Sequence, residues 1–175
     1  MPRSADSPGE SDDASLVRRL TDRGLTIATA ESLTGGLLAA AIVDVPGASA
    51  VFNGGVVAYA TPVKHSLLGV GAELLAERGA VDPGVVEQMA DGVRRACAVD
   101  GRPADLGLAT TGVAGPDWQD GRAPGTVYVG IASPRGIRSV GLELDGSRPE
   151  VRAAAVGAAV AAALEELDLI GVPAE

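Results

Sequence analysis

Short apolar runs, each followed by a turn and then a helix-start signal, constrain this chain more than any other feature of its 175 residues. Leu25–Ala30, Val51–Tyr59 and Asp105–Thr111 are too short for buried helices and too apolar for loops, so they read as strands. Helical patterns follow the first two. Leu37–Val43 is apolar throughout and comes directly after Gly35-Gly36. Thr61-Pro62 opens another helix, with Thr61 as N-cap and Pro62 at the first position, and Asp82-Pro83 repeats that signal for a helix reaching about Val99. Upstream, Leu16, Val17 and Leu20 fall at helical spacing, and Gly24 ends that helix. Downstream, Gly125–Ala132 and Ile137–Leu144 form two more strands, paired through Pro134-Arg135-Gly136. Ser147-Arg148-Pro149-Glu150 is a capping box for a last helix to about Leu167. Gly54-Gly55, inside the second strand, allows a bulge or a close approach.

The resulting order is α, β, α, β, α, α, β, β, β, α. Alternation early and a hairpin late predict an α/β fold, a three-layer α/β/α sandwich on a mixed, mostly parallel sheet. One domain is expected over residues 13–170. Residues 1–12 are rich in Ser, Asp, Glu and Pro, offer no apolar face to bury, and are expected to be a disordered leader.

Composition narrows the chemistry. The single cysteine, Cys97, excludes an internal disulfide and a multi-cysteine zinc site, and the single histidine, His65, excludes any site needing two imidazoles. No cluster of His, Cys and carboxylates has metal-ligand spacing, and neither G-x-x-x-x-G-K-[ST] nor G-x-G-x-x-G occurs. No metal or organic cofactor is therefore expected. A net charge of −9 argues against a nucleic-acid backbone as partner, and 2% aromatics leave no stacking platform for single strands. No apolar run approaches the roughly 18–20 residues that span a bilayer, so no membrane partner is expected. The N-terminus has no apolar core of a secretory signal, and the expected location is the cytoplasm.

Ligands of such sheets sit where strands end and helices begin. Ser32 occupies such a place, between a buried strand and Thr34-Gly35-Gly36. Its hydroxyl is either a nucleophile, with the following N–H groups and the helix start for an oxyanion, or a helix cap. Lys64 is the only lysine; every other basic residue is Arg. Lysine can work as a base once its pKa is depressed, whereas arginine stays charged. Burial and the nearby helix start would both lower it, which suits a Ser–Lys dyad; the alternative is one residual lysine in an Arg-biased chain. His65, beside it, is read as a side chain without catalytic role. Tyr59 is either a proton relay at the strand end or an ordinary half-buried strand residue. The loop Thr111-Gly112-Val113-Ala114-Gly115-Pro116-Asp117 lets backbone approach a ligand or is simply a turn. Arg148, at a helix start, suits a phosphate or carboxylate, or else is a solvated arginine.

Four segments occur in a telling order: Ala30-Glu31-Ser32-Leu33-Thr34-Gly35-Gly36, Tyr59 with Lys64, Thr111-Gly112-Val113-Ala114-Gly115-Pro116, and Pro124-Gly125-Thr126-Val127. Together they resemble the CinA C-terminal domain family, the nicotinamide-nucleotide amidases of pyridine-nucleotide salvage, from about Leu16 to Leu167. These enzymes deamidate nicotinamide mononucleotide to nicotinic acid mononucleotide and ammonia. The resemblance implies a Ser–Lys amidase with Ser32 as nucleophile, Lys64 as general base and Tyr59 as active-site tyrosine. It also implies substrate contacts from Thr34, Gly35, Gly36, Thr111, Gly112, Gly115 and Arg148. The implied partner is a small nucleotide substrate, with no metal and with self-association left open. An amidase for another small amide, or a non-catalytic nucleotide- or partner-binding module of the same fold, are the alternatives. Two departures distinguish this chain. Leu33 stands where some members have Cys, and Trp118 and Gln119 stand where many carry Gly and Ser. Many members are also fused to an N-terminal nucleotide-binding domain; the length here leads us to expect a stand-alone form.

Overall fold

Every residue of Ile27–Glu31, strand β1, is buried, because the strand runs between two parallel neighbours and under helices on both faces. The computed structural model describes residues 10–170. Along the chain come α1 (Asp12–Arg23), β1, α2 (Leu37–Val43), β2 (Phe52–Val57), α3 (Thr61–Leu68), α4 (Ala72–Arg78) and α5 (Pro83–Ala96). After these follow β3 (Leu106–Gly112), β4 (Thr126–Ser133), β5 (Gly136–Glu143) and α6 (Arg148–Leu169). The sheet order is β2-β1-β3-β4-β5. The pairs β1–β2 and β1–β3 are parallel, whereas β3–β4 and the β4–β5 hairpin are antiparallel. The fold is thus the expected α/β/α sandwich on a mixed sheet.

Alternation along the strands divides the core in two. Ile27, Leu106 and Leu108 face the layer of α1, α2 and α6, packing with Leu16, Leu20, Leu38, Ile42 and Leu167. Ala28, Ala30 and Ala109 face α3, α4 and α5, packing with Leu68, Val85, Met89 and Val93. Each fully buried Leu or Ile contributes about 1.5–3 kcal/mol of transfer free energy. On the second face the sheet side is small, which brings α5 close. A Cβ at Gly107 would lie 1.9 Å from the Ala90 carbonyl oxygen, and one at Gly130 would lie 2.3 Å from that of Val86. The bulge allowed by Gly54-Gly55 is present: Ile27 pairs with Phe52 but Ala28 with Gly54, leaving Asn53 as the extra residue.

Several elements differ in number or boundary from the sequence reading. Three helices, not two, separate β2 from β3, since Ala72–Arg78 forms the short α4. Ala60, not Thr61, is the N-cap of α3, so Thr61 and Pro62 are its first two residues. Helix α5 stops at Ala96, and β1 runs one residue further, to Glu31. Glu10, Ser11 and Asp12, expected in the leader, belong to the folded unit. Glu10 pairs with Arg18 at 3.1 Å, Ser11 caps α1 and Asp12 begins it. The rest of the expected leader, residues 1–9, lies outside the described residues. Among the described residues no helix is long and apolar enough to cross a membrane.

Candidate active site

The candidate residues gather at the carboxyl ends of β1 and β3. Glu31, the last residue of β1, is buried, and its carboxylate is turned to the start of α2. It accepts the N–H groups of Gly36 (2.9 Å), Leu38 (3.0 Å) and Ala39 (2.8 Å), and so satisfies the start of α2, which has no other side-chain cap. The chain must leave β1 and fold back onto its own last side chain. Gly35 (φ +59) and Gly36 (φ +101) supply the left-handed backbone this needs. The turn between is pinned from two sides. Ser32 N–H donates to the Thr110 carbonyl (3.0 Å), and Arg152 of α6 donates to the carbonyls of Leu33 and Thr34, both at 2.9 Å. The N–H groups of Leu33 and Thr34 have no hydrogen-bond partner among the described residues.

Lys64 reaches this turn from the first turn of α3. Its side chain is 0% exposed, and Nζ donates to Ser32 Oγ at 3.0 Å and to the Ala58 carbonyl at 2.6 Å. Burial lowers its pKa from 10.5 to about 8, while the Asp120 carboxylate pulls the other way. Burial, not the helix start, is thus the leading cause. His65 is engaged elsewhere, its Nδ1 lying 2.7 Å from the Val70 carbonyl at the far end of α3.

A cavity of about 340 Å³ opens beside Ser32, lined also by Leu33, Tyr59, Arg148 and residues 112–119. Arg148 spans its rim, donating to the Gly115 carbonyl (2.8 Å) and to the Tyr59 hydroxyl (2.9 Å). Gly112 and Gly115 are on the wall, as expected for substrate-side residues. Thr34, Gly35, Gly36 and Thr111 are not. Thr34 Oγ1 meets Thr110 Oγ1 at 2.8 Å inside the core, and Thr111 Oγ1 donates to the Ala80 carbonyl at 2.7 Å. Both hydroxyls are used up in holding neighbouring segments, and the two glycines shape the turn without facing the cavity.

Three contributors were missed in the sequence. Glu31 builds the turn, Arg152 clamps it, and Asp120 places a negative charge toward Lys64 while its carboxylate accepts the Ala80 N–H at 3.0 Å. Arg152 acts on residues 118 and 119 positions away, beyond any local pattern. Glu31 alone left a trace, a carboxylate five residues before a glycine that opens an apolar helix. Among the described residues no group of three or more His, Cys, Asp or Glu is placed to hold a metal ion.

This sequence and this fold have counterparts among known proteins. The family model of the CinA C-terminal domain matches residues 10–167. A CinA-like protein of Frankia casuarinae is 50% identical over 141 residues, covering 81% of this chain and 31% of the relative. The chain thus spans about a third of the length of such curated relatives. Among solved structures, a CinA superfamily protein of Klebsiella pneumoniae is 34% identical with a TM-score of 0.84, covering 90% of this chain and 96% of the other. The competence/damage inducible protein CihA of Agrobacterium tumefaciens is 34% identical with a TM-score of 0.78, covering 93% and 99%. Sequence and fold agree, and the chain belongs to the CinA C-terminal domain family.

Proposed function

We propose that this chain is a nicotinamide-nucleotide amidase, hydrolysing the carboxamide of nicotinamide mononucleotide to nicotinic acid mononucleotide and ammonia. The observation that carries the reading is the 3.0 Å contact between Ser32 Oγ and the Nζ of a wholly buried lysine. With a pKa of about 8, roughly one Lys64 in ten is neutral at pH 7. In that form one hydrogen stays on the Ala58 carbonyl, and the lone pair is left for the Ser32 proton.

Ser32 Oγ attacks the carboxamide carbon and its proton passes to Nζ. The oxygen of the tetrahedral intermediate is met by the partnerless N–H group of Leu33, which lines the cavity, since those of Gly36, Leu38 and Ala39 are taken by Glu31. The Lys64 ammonium returns the proton to the amide nitrogen, the C–N bond breaks and ammonia leaves. Water, deprotonated by the neutral lysine, then hydrolyses the Ser32 ester to the carboxylate. Arg148, on the rim, is suited to the substrate's phosphate through the donors that Gly115 and Tyr59 leave over.

The test is ammonia release from nicotinamide mononucleotide, its riboside, nicotinamide and unrelated small amides. The mononucleotide should be turned over best, and Ser32→Ala should lose activity on the order of 10⁶-fold while staying folded. Near-normal turnover by folded Ser32→Ala would remove the nucleophile. A mononucleotide turned over no better than unrelated amides would point to the other small-amide reading, and no ammonia from any of them to a non-catalytic binding module.

A further inference from the structure

We infer that Trp118 is a specificity-determining residue of the cavity, one that favours a cationic aromatic ring and so selects pyridinium carboxamides over neutral ones. This rests on the amidase reading, whose substrate already carries a pyridinium ring, and adds to it the residue that recognises the ring's charge. Trp118 is the chain's only tryptophan, stands on the cavity wall with Ser32, and is 68% exposed. An indole left in water at the edge of a site is a large apolar surface with nothing to cover it in the free protein. Of the chain's other aromatics, Tyr59 shares the cavity wall and the remaining two lie elsewhere. Tyr59 has its hydroxyl tied to Arg148, Tyr128 lies under the Arg122 guanidinium at 6.0 Å, and Phe52 packs against the core.

The segment bearing Trp118 is held in place. Gln119 and Arg122 exchange backbone hydrogen bonds of 3.1 and 2.8 Å around a two-residue turn, Asp120 (φ 50) and Gly121 (φ 72), both left-handed. The Asp120 carboxylate then fastens that turn to the Ala80 N–H at 3.0 Å. The indole is thus presented by a tied hairpin, which lowers the ordering cost of binding. Charge supports the same polarity. Asp117, next to Trp118, lines the cavity and favours a cation, whereas Arg148 favours an anion. A cation over an indole face gains both the ring's electrostatic attraction and burial.

Binding is measured in the Ser32→Ala protein, with cationic 1-methylnicotinamide and neutral nicotinamide as probes. Calorimetry should show the cation bound about tenfold more tightly, and the single tryptophan's fluorescence should be quenched saturably by it. Trp118→Leu, added to Ser32→Ala, should abolish the preference, and Trp118→Phe should keep most of it. Equal affinities, a preference unchanged by Trp118→Leu, or quenching that rises linearly without saturation would overturn the inference. Ammonia release by the wild-type protein separates the two claims. If it releases ammonia from pyridinium amides and Trp118→Leu leaves its selectivity unchanged, the inference falls and the amidase reading stands. If nothing is released while the cation still binds in a Trp118-dependent way, the amidase reading falls and the ring preference of the cavity stands.

Discussion

Replacing Lys64 with methionine should abolish turnover and should also change how stability depends on pH. In the folded protein the ammonium is cut off from water, and the pKa falls from 10.5 to about 8. The sign follows from proton counts. Between about pH 8 and 10.5 the unfolded chain holds a proton that the folded chain has released, so stability rises with pH across that window and is lost again on going down. Each pKa unit is worth 1.36 kcal/mol, so from pH 6 to pH 10.5 the wild-type protein should gain about 3 kcal/mol relative to a chain without this group. Methionine keeps the length of the stem and cannot ionise. Its loss of the bond to the Ala58 carbonyl costs about 1–3 kcal/mol at every pH and leaves the slope untouched. Urea unfolding of both proteins by far-ultraviolet circular dichroism at pH 6 and pH 10.5 gives the double difference, in which other titrating groups cancel. A wild-type minus Lys64→Met difference that is the same at both pH values would refute the claim that burial holds this lysine near neutrality.

Asp120→Asn removes the charge that raises the Lys64 pKa but keeps an acceptor for the Ala80 N–H, so the basic limb of the pH–rate profile should move to lower pH; an unmoved limb would count against this role. Arg152→Ala frees the Leu33 and Thr34 carbonyls and should lower kcat on the order of tenfold or more with little change in KM, which steady-state kinetics would read directly. Arg148→Ala should cost kcat/KM at least about tenfold more on the mononucleotide than on its dephosphorylated riboside, and equal losses on both would remove Arg148 from the phosphate.

What was legible in the sequence was whatever the chain states locally. The capping box at Ser147, the Gly24 stop and the prolines after Thr61 and Asp82 mark ends by their own backbone chemistry, and the elements begin and end within a few residues of those marks. Helix α4 was not legible because the seven residues between Gly71 and Gly79 span barely two turns, too short a window for a helical period to show. The site divides in the same way. Ser32 stands out by its place at a strand end and Lys64 as the only lysine, near a helix start, although only the fold brings Oγ and Nζ to 3.0 Å. Thr34 and Thr111 are adjacent in sequence to cavity residues yet point into the core, since adjacency does not say which side of a turn or strand a hydroxyl takes. Glu31 stands next to Ser32 in the sequence and proves to be a helix cap, a role that depends on the chain doubling back over it.

The central claim, that neutral Lys64 takes the Ser32 proton, is tested most directly by the pH dependence of kcat/KM for ammonia release from nicotinamide mononucleotide. The wild-type profile should rise along a limb with an apparent pKa near 8, and His65→Ala should keep that limb, because His65 is engaged with Val70. Lys64→Arg should be nearly as inactive as Lys64→Ala, since a guanidinium of almost the same reach does not lose its proton in this range. An active Lys64→Arg enzyme, or a limb that disappears with His65→Ala, would show that another group is the base.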